Sequence, residues 1–128
     1  MFSGQAKEAI PELETALRLN PRSASRNQWE SDLCSAYAHL GQWETAVEWC
    51  RRSIATDASY FVPYVNLAAA YGWLDRDSEA RWTVVALLKL KPGFTVSDSE
   101  KLWYSTDPQS ESEQHRIMEG LRKAGLPE

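Results

Sequence analysis

Cys34, His39, Cys50 and His115 carry the groups in this chain best suited to metal binding or nucleophilic chemistry, and their spacing bounds what that chemistry can be. A zinc site needs four converging ligands, commonly drawn from close Cys or His pairs a few residues apart. Cys34 and His39 have four residues between them, and Cys50 stands further along. Both cysteines fall in apolar helical register while His39 falls near a helix end, so two core thiols and a surface histidine are expected, with no metal. The cysteines could pair in an oxidising compartment, but a helical domain of this size does not need that staple, and reduced thiols are expected. His115, with Glu111 and Glu119 four residues to either side, reads as a solvated face. The serines form no Gly-x-Ser-x-Gly elbow, and no Gly-rich phosphate loop occurs. No catalytic residue and no cofactor are expected: the chain does not read as an enzyme.

Composition narrows the classes further. The chain has 128 residues, 43% of them hydrophobic, with six Trp and five Tyr. That suits one folded domain and not a disordered segment. A net charge of −4 argues against a general nucleic-acid or anionic-membrane binder, which would need clustered Lys and Arg. Basic pairs such as Arg51-Arg52 are flanked by acids. No stretch approaches the roughly 18 apolar residues that span a bilayer, and no apolar signal core opens the chain. A soluble, cytoplasmic protein is expected.

The elements follow from an internal repeat. Leu33 recurs as Leu67, Ala36 as Ala70, Tyr37 as Tyr71, Leu40 as Leu74, Ala46 as Ala80 and Ile54 as Leu88, each pair 34 residues apart. An incomplete earlier copy aligns at an offset of 37, with Gly4, Ala9, Leu13, Ala16, Leu17, Leu19 and Pro21 matching Gly41, Ala46, Cys50, Ser53, Ile54, Thr56 and Ala58. The extra residues fall in the loop "RSASR". Each unit holds two apolar-periodic segments joined at "LGQW" or "LDRD", which predicts a helix, a tight turn and a second helix. Small residues (Ala9, Ala46 and Ala80 in one register, Cys34 and Ala68 in another) let the helices approach, and Leu33, Tyr37, Trp43, Leu67, Tyr71 and Val84 fill the space between. Trp43, Trp49 and Trp82 are expected to fill the outer packing seam. Pro11 should bend the first helix mildly.

This period, with Leu-x3-Tyr in the first helix, Gly at the turn, Ala in the second helix and Pro at the end, resembles the tetratricopeptide repeat. "LCSAYAHLGQWETAVEWCRRSIATDAS" carries nearly the whole pattern, with "LRLNP" and "LKLKP" as unit endings. Asp75 and Ala58 depart from it, standing where the family has the turn Gly and the closing Pro. The resemblance implies an all-α, right-handed helical-repeat solenoid over residues 1–94, with a half-repeat at 4–22 and full repeats at 27–60 and 61–94, followed by C-terminal capping helices over 95–128. Within the latter, Ser97 followed by Glu100 signals a capping box for a short helix ending near Tyr104. A second helix is expected from about Ser110 to Lys123, with an apolar stripe at Ile117, Leu121 and Met118, stopped by Gly125.

The family also implies where a partner would lie. Its concave groove corresponds here to Gln28, Ser31, Ser35, Ala38 and His39, then Val62, Val65, Ala69, Gly72 and Trp73. No cation is present there to clamp a carboxylate, and Asn66 is the one remnant of such a clamp. A protein or peptide segment with an apolar anchor near Trp73 fits better; alternatively the chain's own C-terminal helix lies over Val65, Ala69 and Trp73. "PGFTV" and the closing "GLRKAGLPE" resemble the C-terminal end of tetratricopeptide regions in bacterial class III adenylate or guanylate cyclase-like proteins, and in some winged-helix regulators. The implied function is protein–protein interaction as a regulatory or scaffolding appendage, with self-association as the alternative. Gly4 aligns with the turn Gly41, so the opening helix reads as the second half of a repeat in a longer array, with an apolar stripe suited to a homodimer contact.

Overall fold

The computed structural model describes residues 6–103 and 108–128. Among them every regular element is helical: α1 (Ala6–Leu19), α2 (Arg26–His39), α3 (Trp43–Thr56), α4 (Val62–Trp73), α5 (Asp77–Leu90), a short α6 (Val96–Glu100) continued by a 3₁₀ turn at Lys101–Trp103, and α7 (Pro108–Ala124). No helix among the described residues is long and apolar enough to cross a membrane. Gly4, Gln5 and Tyr104, assigned above to a turn, a helix start and a helix end, lie outside the described residues.

Several pairs of positions 34 residues apart are buried alike. Leu33 and Leu67, Cys34 and Ala68, Ala36 and Ala70, and Ala46 and Ala80 are all buried. α2 and α4 end in the same hydrogen-bonded turn. At the end of α2, Gly41 at φ +75° lets Gln42 N–H donate to Tyr37 O at 3.0 Å, while Gly41 N–H donates to Ala38 O. At the end of α4, Asp75 takes the same left-handed conformation at φ +57°, and Arg76 N–H donates to Tyr71 O at 3.0 Å. A six-to-one bond closing a left-handed residue satisfies carbonyls that the helix end would leave open. Helices joined by so short a reversal must run antiparallel, and α2 packs on α3, α3 on α4, and α4 on α5. α1 runs unbroken through Pro11 and packs on α2.

Three expectations need correction. Cys34 and Cys50 are not free thiols: they form a disulfide across the α2–α3 hairpin, with Cα atoms 4.8 Å apart. Two fully buried cysteines facing each other across one hairpin are already at bonding distance. The capping box begins two residues earlier than Ser97: the Thr95 hydroxyl accepts from Asp98 N–H and the Asp98 carboxylate accepts from Thr95 N–H. Thr95 wins because its backbone is extended, as a cap requires, whereas Ser97 already lies inside α6. Trp82 does not fill a seam. It is 64% exposed, because Ala55 across from it on α3 has too little bulk to cover it.

The segment after residue 94 shares its core with the helices before it. α7 lies across α4 and α2. Its Ile117, Leu121 and Ala124 join one apolar cluster with Val65, Ala68 and Ala69. The chain then returns, so that Val96 N–H donates to Pro127 O at 2.8 Å.

Candidate functional site

Of the residues assigned to the concave groove, His39, Ala69, Gly72 and Trp73 meet α7, and Val65 shares an apolar cluster with its Ile117 and Leu121. Ser31, Ser35, Val62, Val65, Asn66 and Ala69 are buried, and Trp73 is half-buried. Gln28 alone of the set is exposed, and its amide donates to Asp32 at 2.9 Å. Asn66 Nδ2 donates to Ser35 Oγ at 2.9 Å across α2 and α4, a contact inside the core. His39, expected at the surface, is fully buried. The Glu113 and Arg116 side chains of α7 cover that position.

Two glycines set how closely α7 sits. A Cβ on Gly120 would stand 2.5 Å from Ala69 O and 2.7 Å from Trp73 Cδ1, and a Cβ on Gly72 would overlap the Gly120 carbonyl. Backbone meets backbone there. Trp73 then donates from Nε1 to Arg116 O at 2.7 Å, stacks on Trp43 with centroids 6.0 Å apart, and carries the Lys123 ammonium 5.1 Å over its ring. Its indole ties α7 to α4, and its remaining exposed surface lines a hollow with Glu111, Ser112, His115, Arg116 and Glu119.

At the other end of this seam His39 Nδ1 meets Glu113 Oε1 at 3.3 Å, and Arg116 Nη2 donates to His39 O at 2.9 Å. Burial, with the Arg116 charge adding to it, lowers the His39 pKa to about 4. The imidazole is therefore neutral at pH 7 and donates to Glu113 as a hydrogen bond, not as an ion pair. In the unfolded chain the same histidine titrates near 6.5, so between the two values the unfolded state binds more protons. Stability is full above about pH 6.5 and should fall by about 3 kcal/mol as pH drops to 4. Urea denaturation of the wild type and of His39→Gln across that interval checks this, the variant being expected to show a shallower slope.

The most apolar of the described clefts lies on the opposite side from α7's contact with Ala69 and Gly72, lined by Leu67, Tyr71, Ile54, Ala55 and Trp82. It lies between α3 and α5 and has a volume of about 460 Å³. Leu67 and Tyr71 of α4 form its buried floor, Ile54 and Ala55 one wall, and Trp82 the other. Arg51, Ser78 and Glu79 complete the lining. Glu79 is occupied by Arg76, whose Nε and Nη2 reach its two oxygens at 2.7 Å each, while the same guanidinium lies 4.9 Å over the Tyr71 ring. These hydrogen bonds hold the Glu79 carboxyl below its ordinary range, with the charges of Arg76 and Arg51 adding to the shift. Among the described residues no carboxylate lies within ion-pair distance of Arg51.

No family model matches the chain, and no curated protein matches it.

Among the described residues no group of three or more His, Cys, Asp or Glu is placed to hold a metal ion. The disulfide had a readable signal, since Cys34 and Cys50 each lie eight residues from Gln42. An antiparallel hairpin turning there sets them at one height. For the α7 seam the signal was a glycine inside each of two helical stretches, Gly72 and Gly120, a costly choice unless another backbone approaches. The cleft at Trp82 had no such signal, because periodicity does not tell a filled outer seam from an open one.

Proposed function

We propose that the chain is a protein–protein interaction module of the tetratricopeptide-repeat type, and that it serves as the C-terminal regulatory or scaffolding part of a bacterial signalling protein such as an adenylate or guanylate cyclase-like protein. The observation that carries this reading is the agreement between the 34-residue period and the matched burial of Leu33 with Leu67, Cys34 with Ala68, Ala36 with Ala70 and Ala46 with Ala80. Stacked hairpins of that kind build a rigid surface on which a partner segment can lie. With α7 over the inner helices, the open surface is the outer one, where a large aromatic stands over an apolar cleft; Trp is among the residues that dominate binding energy at interfaces. The partner is a protein or peptide segment with an apolar anchor, and the chain has no turnover of its own.

Self-association is a second reading, favoured by α1, where Leu19 is 68% exposed and Ala9, Leu13, Ala16 and Leu17 are only half-buried. Sedimentation over a range of concentrations separates the two. A monomer throughout, together with saturable binding of a protein captured from the cell of origin and then purified, supports the partner reading. A concentration-dependent dimer and no saturable partner would overturn it in favour of self-association. The reading frame upstream of residue 1 tests the narrower assignment, which requires a cyclase or winged-helix domain there.

A further inference from the structure

We propose that the cleft between α3 and α5 docks a protein segment that lays an apolar side chain against Trp82 and sets an adjacent carboxylate on Arg51. This names the partner chemistry of the interaction module and rests on that reading.

The cleft supplies both halves of the recognition. Its floor and walls, made by Leu67, Tyr71, Ile54, Ala55 and Trp82, are apolar and deep enough for one large side chain. Trp82 gives most of its surface to solvent and is the wall with most area to gain from a partner. The charges on the rim do not cancel. Glu79 is spent on the bidentate contact from Arg76, so the remaining charge of the cleft is the Arg51 guanidinium. Within a chain of net charge −4 this is a local positive point. An arginine recognises a carboxylate through two parallel N–H donors, and beside an apolar floor that pair is shielded from water. An apolar residue alone would make no use of the Arg51 guanidinium, whose neighbouring carboxylate, Glu79, is already held by Arg76. A basic segment would be repelled, which gives the site its selectivity.

A random-peptide phage library selected on the intact, oxidised protein tests this. Enrichment of peptides with an acidic residue next to a leucine or an aromatic is the expected result. Trp82→Ala should reduce retention of the enriched peptides by about tenfold or more, as loss of a central interface tryptophan does. Arg51→Gln should keep the apolar preference and abolish the acidic one, and Ala55→Glu should exclude the acidic peptides by repulsion. All three positions are exposed, so the fold is expected to persist, and circular dichroism with thermal melting checks each variant. Enriched peptides that lack an acid, or whose binding is unchanged in Trp82→Ala, would overturn this site while leaving the module reading intact. A library that enriches no peptide, alongside a partner captured from cells that Trp82→Ala still binds, overturns the site as well. No peptide and no partner overturns both.

Discussion

Gly72→Ala should destabilise the protein by on the order of 3 kcal/mol, and Gly120→Ala by a similar amount, although in an ordinary helix the same change stabilises. Alanine is the better helix former by about 1 kcal/mol, so local propensity predicts a gain at both positions. The α4–α7 seam reverses the sign. A Cβ on Gly120 meets Ala69 O at 2.5 Å and the Trp73 ring at 2.7 Å, and backbone oxygens on a packed helix have no rotamer through which to yield. α7 must move outward, and overpacking of this kind costs about 1–3 kcal/mol before the lost burial of Ile117 and Leu121 is added. Chemical denaturation gives the sign, and amide exchange locates the change, with α7 protection expected to fall first. Unchanged or raised stability in both variants would show that α7 does not dock there.

Removal of the disulfide should have the second large effect. The bridge closes a loop between residues 16 apart, and cross-links of that span stabilise by about 3 kcal/mol, chiefly through the unfolded chain. Small domains are stable by only about 5–15 kcal/mol. Cys34→Ala with Cys50→Ala should therefore lower the unfolding free energy by about 3 kcal/mol at pH 7 while leaving the helical content intact. Both sulfurs are fully buried, so a reductant added to the native protein should act at the rate of opening and not at the rate of exchange. Thiol titration in denaturant without reductant should find none; two free thiols from protein prepared under oxidising conditions would remove the bridge from the account.

Much of the helical skeleton was legible in the sequence, because a helix that buries one stripe must repeat its apolar positions. The ends of α1, α2, α4 and α5 fall close to Pro21, Gly41, Asp75 and Pro92, the last being the proline of "LKLKP". The site was less legible. Ile117 and Leu121 announced a stripe on α7, but a stripe does not name its partner, and the inner helices and an outside peptide were equally compatible with it. His39 was misplaced for the same reason, since whether that rim position is wet depends on a helix more than 70 residues later in the chain. Trp82 failed differently: a tryptophan on an outer helix is buried only if its neighbour is large, and α3 presents Ala55.

The α7 seam also sets the order of events when the chain folds. Each helical hairpin closes across a short turn, whereas the bonds from Trp73 and His39 to α7 join residues 43 to 77 apart in sequence. Non-local closure is slower because the chain loses freedom before any contact repays it. The hairpins should form early and the last helix arrive late, leaving the apolar flank of α4 bare in between. That interval is when the chain is most prone to aggregate, and the two glycines let a single tight approach end it.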